Sequence, residues 1–191
     1  MLKLVKRIFP VVVIVAGAAF IVGGAYAYDQ GSDAEAQIRD ELVAQNIVTP
    51  DDASIPGVLV DSPATAQSMA DIIDQHQREG ADGKAYADLG RFKSAADPED
   101  PAGTSVEEEA LIGDNGRPVP NPAREIALTA TTLRSSLLSA VMAFSVATLV
   151  QGLGFFALGV GVIVTGIGVA LAGLAFPSLA RRFRVQPAEV S

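Results

Sequence analysis

Two long stretches of this chain carry no charge. The first runs from Ile8 to Tyr28 (IFPVVVIVAGAAFIVGGAYAY), 21 residues, and the second from Ser135 to Ala180. A helix needs about 20 consecutive apolar residues to cross a bilayer core. The first block therefore predicts one transmembrane helix, and the second predicts one crossing with apolar helix to spare. Between the blocks the pattern breaks into short amphipathic pieces. Ser32 and Glu35 have capping-box spacing, and Ile38, Leu42 and Val43 lie at helical spacing, predicting a separate helix that ends before Thr49-Pro50. Val58, Leu59 and Val60, between Pro56-Gly57 and Asp61, read as a short strand. Ser62 then takes a cap position and Pro63 the first helical position, with Met69, Ile72 and Ile73 on one side before Gly80 stops the helix.

From Phe92 to Asn121 large apolar residues are few and Pro, Gly and acidic residues many. Such a stretch buries too little to offset its ordering entropy, predicting a flexible acidic, Pro-rich loop with one short turn near Ser105 to Ile112. Asn121-Pro122 opens the next helix, a cap followed by proline at the first turn. No proline follows before Pro177, and a continuous helix of that length would reach roughly 80 Å, so only part of it fits in lipid. Counting back about 24 residues from Pro177 for one crossing places Gln151 near the outer interface. Leu137 to Val150 is then an apolar stalk that requires cover.

The predicted architecture is mainly α: two transmembrane helices, N- and C-terminal, with a small, mostly helical external domain and a long second helix extending beyond the membrane. Its parts are a basic N-terminus at 1–7, the first span at 8–28, the external helical domain at 29–91 and the flexible loop at 92–121. They continue with an external or interfacial part of the long helix at 122–150, the second span at 151–176 and a basic tail at 177–191.

Charge sets the expected orientation. Lys3, Lys6 and Arg7 flank one block and Arg181, Arg182 and Arg184 the other, opposed only by Glu189, a net of +5. Residues 29–135 hold 21 acidic and 8 basic side chains, a net of −13, which brings the chain to −8. Clustered Lys and Arg beside spans mark the cytoplasmic side. Both termini are thus expected inside a plasma membrane, with 29–135 mainly extracytoplasmic. Splitting the second block into a hairpin would put three arginines on the wrong side. A rival reading takes the N-terminus as a secretory signal cleaved at the small-x-small stretch Ala25-Tyr26-Ala27, but the apolar run is longer than a usual signal core, which favours an anchor.

Composition removes several chemistries. The chain has no cysteine and one histidine, so a thiol nucleophile, a thiolate zinc site and a three-histidine site are excluded within one chain. No G-x-S-x-G or P-loop lysine motif occurs. An acidic exterior is not a nucleic-acid surface. His76 has Asp71 and Asp74 nearby, yet on a helix its i−3 and i−4 neighbours are Ile73 and Ile72, so the carboxylates do not share its face. Asp97, Glu99, Asp100 and Glu107 to Glu109 are hard ligands suited to calcium, without the spacing of a calcium loop. No cofactor, metal or catalytic residue is expected.

Two segments carry a resemblance: Ala70, Asp71, Ile72, Ile73 and His76, and then Asp82-Gly83-Lys84-Ala85-Tyr86-Ala87-Asp88-Leu89. With an apolar block at each end, the chain resembles small actinobacterial two-span membrane proteins of unassigned function, which share an "AD-I-I-x-x-H" helix and a "T-G-K-T-Y-A-E-L" segment. Ala85 and Asp88 depart from that pattern. Members are sometimes labelled aromatic ring-opening dioxygenases, a chemistry whose iron-ligand cluster one histidine does not provide. The resemblance singles out Asp71, His76, Gly83, Lys84 and Tyr86, and an actinobacterial envelope or respiratory complex is the expected setting.

The remaining signal is glycine. Gly152, Gly159, Gly166 and Gly173 fall within about 60° of one another around a helix, and Gly154, Gly161 and Gly168 within about 40° on nearly the opposite side. In lipid, small residues let helix backbones approach. Gly17, Gly23 and Gly24, with Ala19 and Ala27, allow the first span to meet one face, leaving the other for a partner. The expectation is a non-enzymatic accessory or scaffolding subunit of a membrane complex, in contact with lipid and with another membrane protein or a second copy of itself. The alternative is an envelope ligand- or ion-binding module using the acidic external domain. A pore is disfavoured because Gln151 and Thr165 are the main polar residues of the second span.

Overall fold

The computed structural model describes residues Leu2–Ala175. They are mainly helical, with α1 at Leu2–Ala44, α2 at Pro63–Gly80 and α3 at Pro122–Ala175, and single 3-10 turns at Tyr86–Asp88 and Glu107–Glu109. Pro177 and the arginines at 181, 182 and 184 lie outside the described residues. The chain divides into two compact units, one of residues 1–35 with 146–191 and one of 36–145.

In the first unit α1 and α3 run antiparallel, and most of their apolar side chains point outward. Val22 is 70% exposed and Phe155 72%, and only 17% and 11% of the most apolar stretches of the two helices are buried. A helix in the core of a water-soluble protein would show the reverse. Both helices are long and apolar enough to cross a membrane, where such surface meets lipid rather than water.

The separate helix expected to start at Ser32 does not exist; that position lies inside the continuous α1. The local capping pattern loses to a tertiary contact. Gly31 packs against the Ala147 carbonyl and Gln151 of α3, and the Glu35 carboxylate, which a capping box would turn back on the chain, instead accepts a hydrogen bond from Gln151 Nε2 at 2.8 Å.

In the second unit α1 ends where Asn46 takes a left-handed conformation, φ 51, a common C-terminal device for asparagine. The short strand expected at Val58–Val60 is absent. That stretch makes one isolated bridge, Val48 with Leu59, because the opposing residues 47–49 offer too few positions to extend a ladder before Pro50, which has no N–H to donate. α2 starts as its sequence predicts: Ser62 and Thr65 form a capping box and Pro63 sits in the first turn. α3 likewise begins at Asn121, whose Oδ1 accepts from the Ala123 amide at 3.1 Å. Asn121 is buried, and its Nδ2 donates to the carbonyls of Gly90 and Pro101, so one side chain caps α3 and holds two stretches of loop.

Two small cores form here. Val60, Ala66, Ala70 and Leu137 are buried together, with Leu42, Ile47, Met69, Ile73, Leu138 and Val141 against them. Leu89, Ala81 and Ala127 form the second. The stalk residues Leu137, Leu138 and Val141 thus obtain cover from α2 and the end of α1, whereas Met142 remains 70% exposed. Residues 92–121 carry a backbone network of isolated antiparallel bridges, pairing Phe92 with Thr104 and Pro120, Ser94 with Ala110, and Ile112 with Pro118.

Candidate functional site

The glycines of α1 and α3 form a close seam. A Cβ on Gly161 would lie 2.7 Å from the Gly17 carbonyl oxygen and from the Ile21 backbone nitrogen, and one on Gly24 would lie 2.7 Å from the Gly154 carbonyl. No side chain fits at such distances. Gly17 meets Gly161 and Thr165, Gly24 meets Gly154, and Gly31 meets Ala147, so every seven-residue step up α1 matches one down α3. A strict seven-residue repeat keeps one seam facing its partner along a supercoiled pair. Gly168 continues the seam against Val13 and Ile14. Periodicity alone places the glycines of α3 on two faces; Gly31, the third member on α1, lies beyond the span expected at 8–28.

Among the described residues the other face is bare. At Gly152, Gly159, Gly166 and Gly173 an added Cβ would meet nothing within 4 Å, and the same holds for Gly23 on α1. Gly23 therefore takes no part in the seam. It borders a shallow groove of about 390 Å³ lined by Ala16, Ala19, Phe20, Gly24 and Ala157. Neither polar residue of the span faces this open side as a pore lining would: Gln151 binds Glu35, and the Thr165 hydroxyl is buried beside Gly17.

The five residues singled out by the resemblance do not converge on one centre. Asp71 accepts a hydrogen bond from Gln67 on its own helix at 2.8 Å. Gly83 has φ +78, a left-handed turn that glycine adopts without strain, and follows Asp82 at φ 51. Lys84 pairs loosely with Asp82 at 3.5 Å, while its carbonyl accepts from the buried Gln77. Tyr86 is clasped by Arg124, whose guanidinium lies 4.2 Å from the ring centroid. Arg124 Nη2 donates to the Tyr86 hydroxyl at 3.0 Å, and Nη1 to the Tyr86 and Leu89 carbonyls. The segment 81–89 is in this way a docking strap for the first turn of α3.

His76 finds a partner that spacing did not reveal. Its Nε2 donates to Asp52 Oδ2 at 2.6 Å, tying the 50s loop to α2. That hydrogen bond is the main reason the Asp52 carboxyl titrates below its ordinary value of 3.8. A carboxylate whose pKa is depressed on folding adds stability above its unfolded pKa and loses it as pH falls through the folded one. The contribution is small because both groups are about half exposed. By NMR, Asp52 is expected to titrate below 3.8 and to return to the ordinary value in His76→Ala; a wild-type midpoint at or above 3.8 would contradict the pairing.

The acidic loop spends part of its carboxylate capacity on its own turns: Asp97 accepts from the Glu99 amide and Asp100 from the Ala102 amide. Among the described residues no group of three or more His, Cys, Asp or Glu side chains is placed to hold a metal ion. No family model, curated protein or solved structure matches the chain.

Proposed function

We propose that this chain is a non-enzymatic, two-span integral membrane protein that acts as an accessory or scaffolding subunit of a membrane complex. It offers the Gly152, Gly159, Gly166 and Gly173 face of α3 to another membrane protein or to a second copy. The observation that carries this reading is that α3 has two glycine faces and the described residues cover only one. Glycine in a helix interior is destabilising by about 1 kcal/mol relative to alanine. Close approach of α1 accounts for the covered face, and close approach of a further helix would account for the other.

The basic flanks favour both termini in the cytoplasm, with the −13 segment 29–135 outside. The seam favours retention of the N-terminal helix as an anchor, since cleavage after Ala27 would remove Gly17 and Gly24 and leave Gly154 and Gly161 uncovered. The resemblance to small actinobacterial two-span proteins favours an envelope or respiratory setting for that complex.

Gentle solubilisation followed by affinity purification tests the proposal. Wild-type chain is expected to carry a stoichiometric second polypeptide or a second copy of itself, and Gly159→Leu with Gly166→Leu to reduce that recovery at least tenfold. Isolation of wild type only as a bare monomer would overturn the reading.

A further inference from the structure

A cleft of about 830 Å³ opens within the unit 36–145. Ile38 and Leu42 of α1, Met69 and Ile73 of α2, and Leu137 and Ala140 of α3 form its walls. Its volume lies within the range of small-molecule sites, which are mainly apolar with a few polar groups that orient the ligand. The polar lining is Gln37, Gln45, Ser136, Ser139 and one charged group, the Glu41 carboxylate. Ser136 and Ser139 return their hydroxyl protons to the carbonyls of Thr132 and Ser135 on their own helix. Polar recognition therefore rests on Glu41 and the two glutamine amides.

We infer that this cleft binds a neutral lipid, an apolar chain ending in an uncharged hydroxyl. Three observations select that class. The walls are apolar and come from three elements, which suits a slender hydrocarbon chain. α1 and α3 are also the helices long and apolar enough to cross a membrane, so bilayer lipid is the apolar material at hand. Glu41 has no Lys or Arg beside it in the lining, so an anionic phosphate head would meet uncompensated like charge. A hydroxyl both donates and accepts, matching the Glu41 carboxylate together with the NH₂ groups of Gln37 and Gln45, whereas an ammonium only donates. The inference rests on membrane residence and not on the bare glycine face, so it stands or falls separately from partner recovery.

Native mass spectrometry of the full chain in mild detergent tests it, with dioleoylglycerol as the neutral probe, dioleoylphosphatidylglycerol as the anionic one and a dioleoyl lipid with a primary ammonium head as the cationic one. The expected result is saturable retention of one dioleoylglycerol, at least tenfold over either charged lipid. Ala140→Phe fills the cleft and should reduce that retention at least tenfold, with thermal unfolding reporting on the fold. Glu41 is exposed, so Glu41→Lys leaves packing intact and should shift preference at least tenfold toward phosphatidylglycerol. Equal retention of the three lipids, preference for the cationic lipid, or an unchanged preference in Glu41→Lys would each overturn the inference.

Discussion

Gly161→Leu is expected to open the paired helices and cost about 3 kcal/mol or more, at the upper end of what overpacking a tight contact costs. The reason is geometric. The first added carbon already lies 2.7 Å from the backbone of α1 at Gly17 and Ile21, and a helix backbone cannot move aside as the end of a side chain can. Gly159→Leu, two residues away, meets nothing within 4 Å and should not destabilise the isolated chain, raising its stability by up to about 1 kcal/mol through helix propensity. Reversible unfolding in mild detergent measures both. Equal costs at 159 and 161 would mean that α3 does not use opposed faces differently.

The second large effect is expected at Arg124. Its guanidinium donates to two loop carbonyls and to the Tyr86 hydroxyl while lying over the Tyr86 ring. Hydrogen bonds from a charged donor contribute about 1.5–3 kcal/mol when part-buried, and the ring contact about 0.5–1 kcal/mol. Arg124→Ala should therefore cost about 3 kcal/mol and expose the core around Leu89 and Ala127. Arg124→Lys should restore little of it, since an ammonium cannot reach both carbonyls and also stack on the ring. Tyr86→Phe, which loses only the hydroxyl contact, should cost about 1 kcal/mol. Amide hydrogen exchange at Leu89 and Asn121 reports the loss directly; unchanged protection in Arg124→Ala would show that the strap is held by something else.

What the sequence made legible was local. Ser62-Pro63 and Asn121-Pro122 marked two helix starts because a cap acts within one turn. The two uncharged blocks marked the candidate spans because the length of an apolar run is itself the signal. The capping pattern at Ser32 and Glu35 misled because it competes with a contact from residue 151, more than a hundred positions away. The apolar triplet at Val58–Val60 misled because a strand needs an opposing partner, and residues 47–49 allow only a bridge.

The candidate site divides the same way. Periodicity gives the angular positions of glycines on one helix, hence both faces of α3, but not which of them meets α1. Gly31 was missed because a neighbouring capping signal suggested a break before it. Asp52 was missed as the partner of His76 because 24 residues separate them in the chain. The lipid cleft draws its walls from positions 37 to 143, a spread no local pattern encodes.

The Gly159 face of α3 is expected to meet a helix from outside this chain. The natural sequence has no cysteine, so a single Gly159→Cys carrying a photoactivatable thiol reagent can be irradiated in native membranes, with Val22→Cys, 70% exposed on α1, as the lipid-facing control. A discrete crosslinked species containing a second polypeptide is expected from position 159 and none from position 22. Crosslinking at 159 no greater than at the lipid-facing control would contradict it.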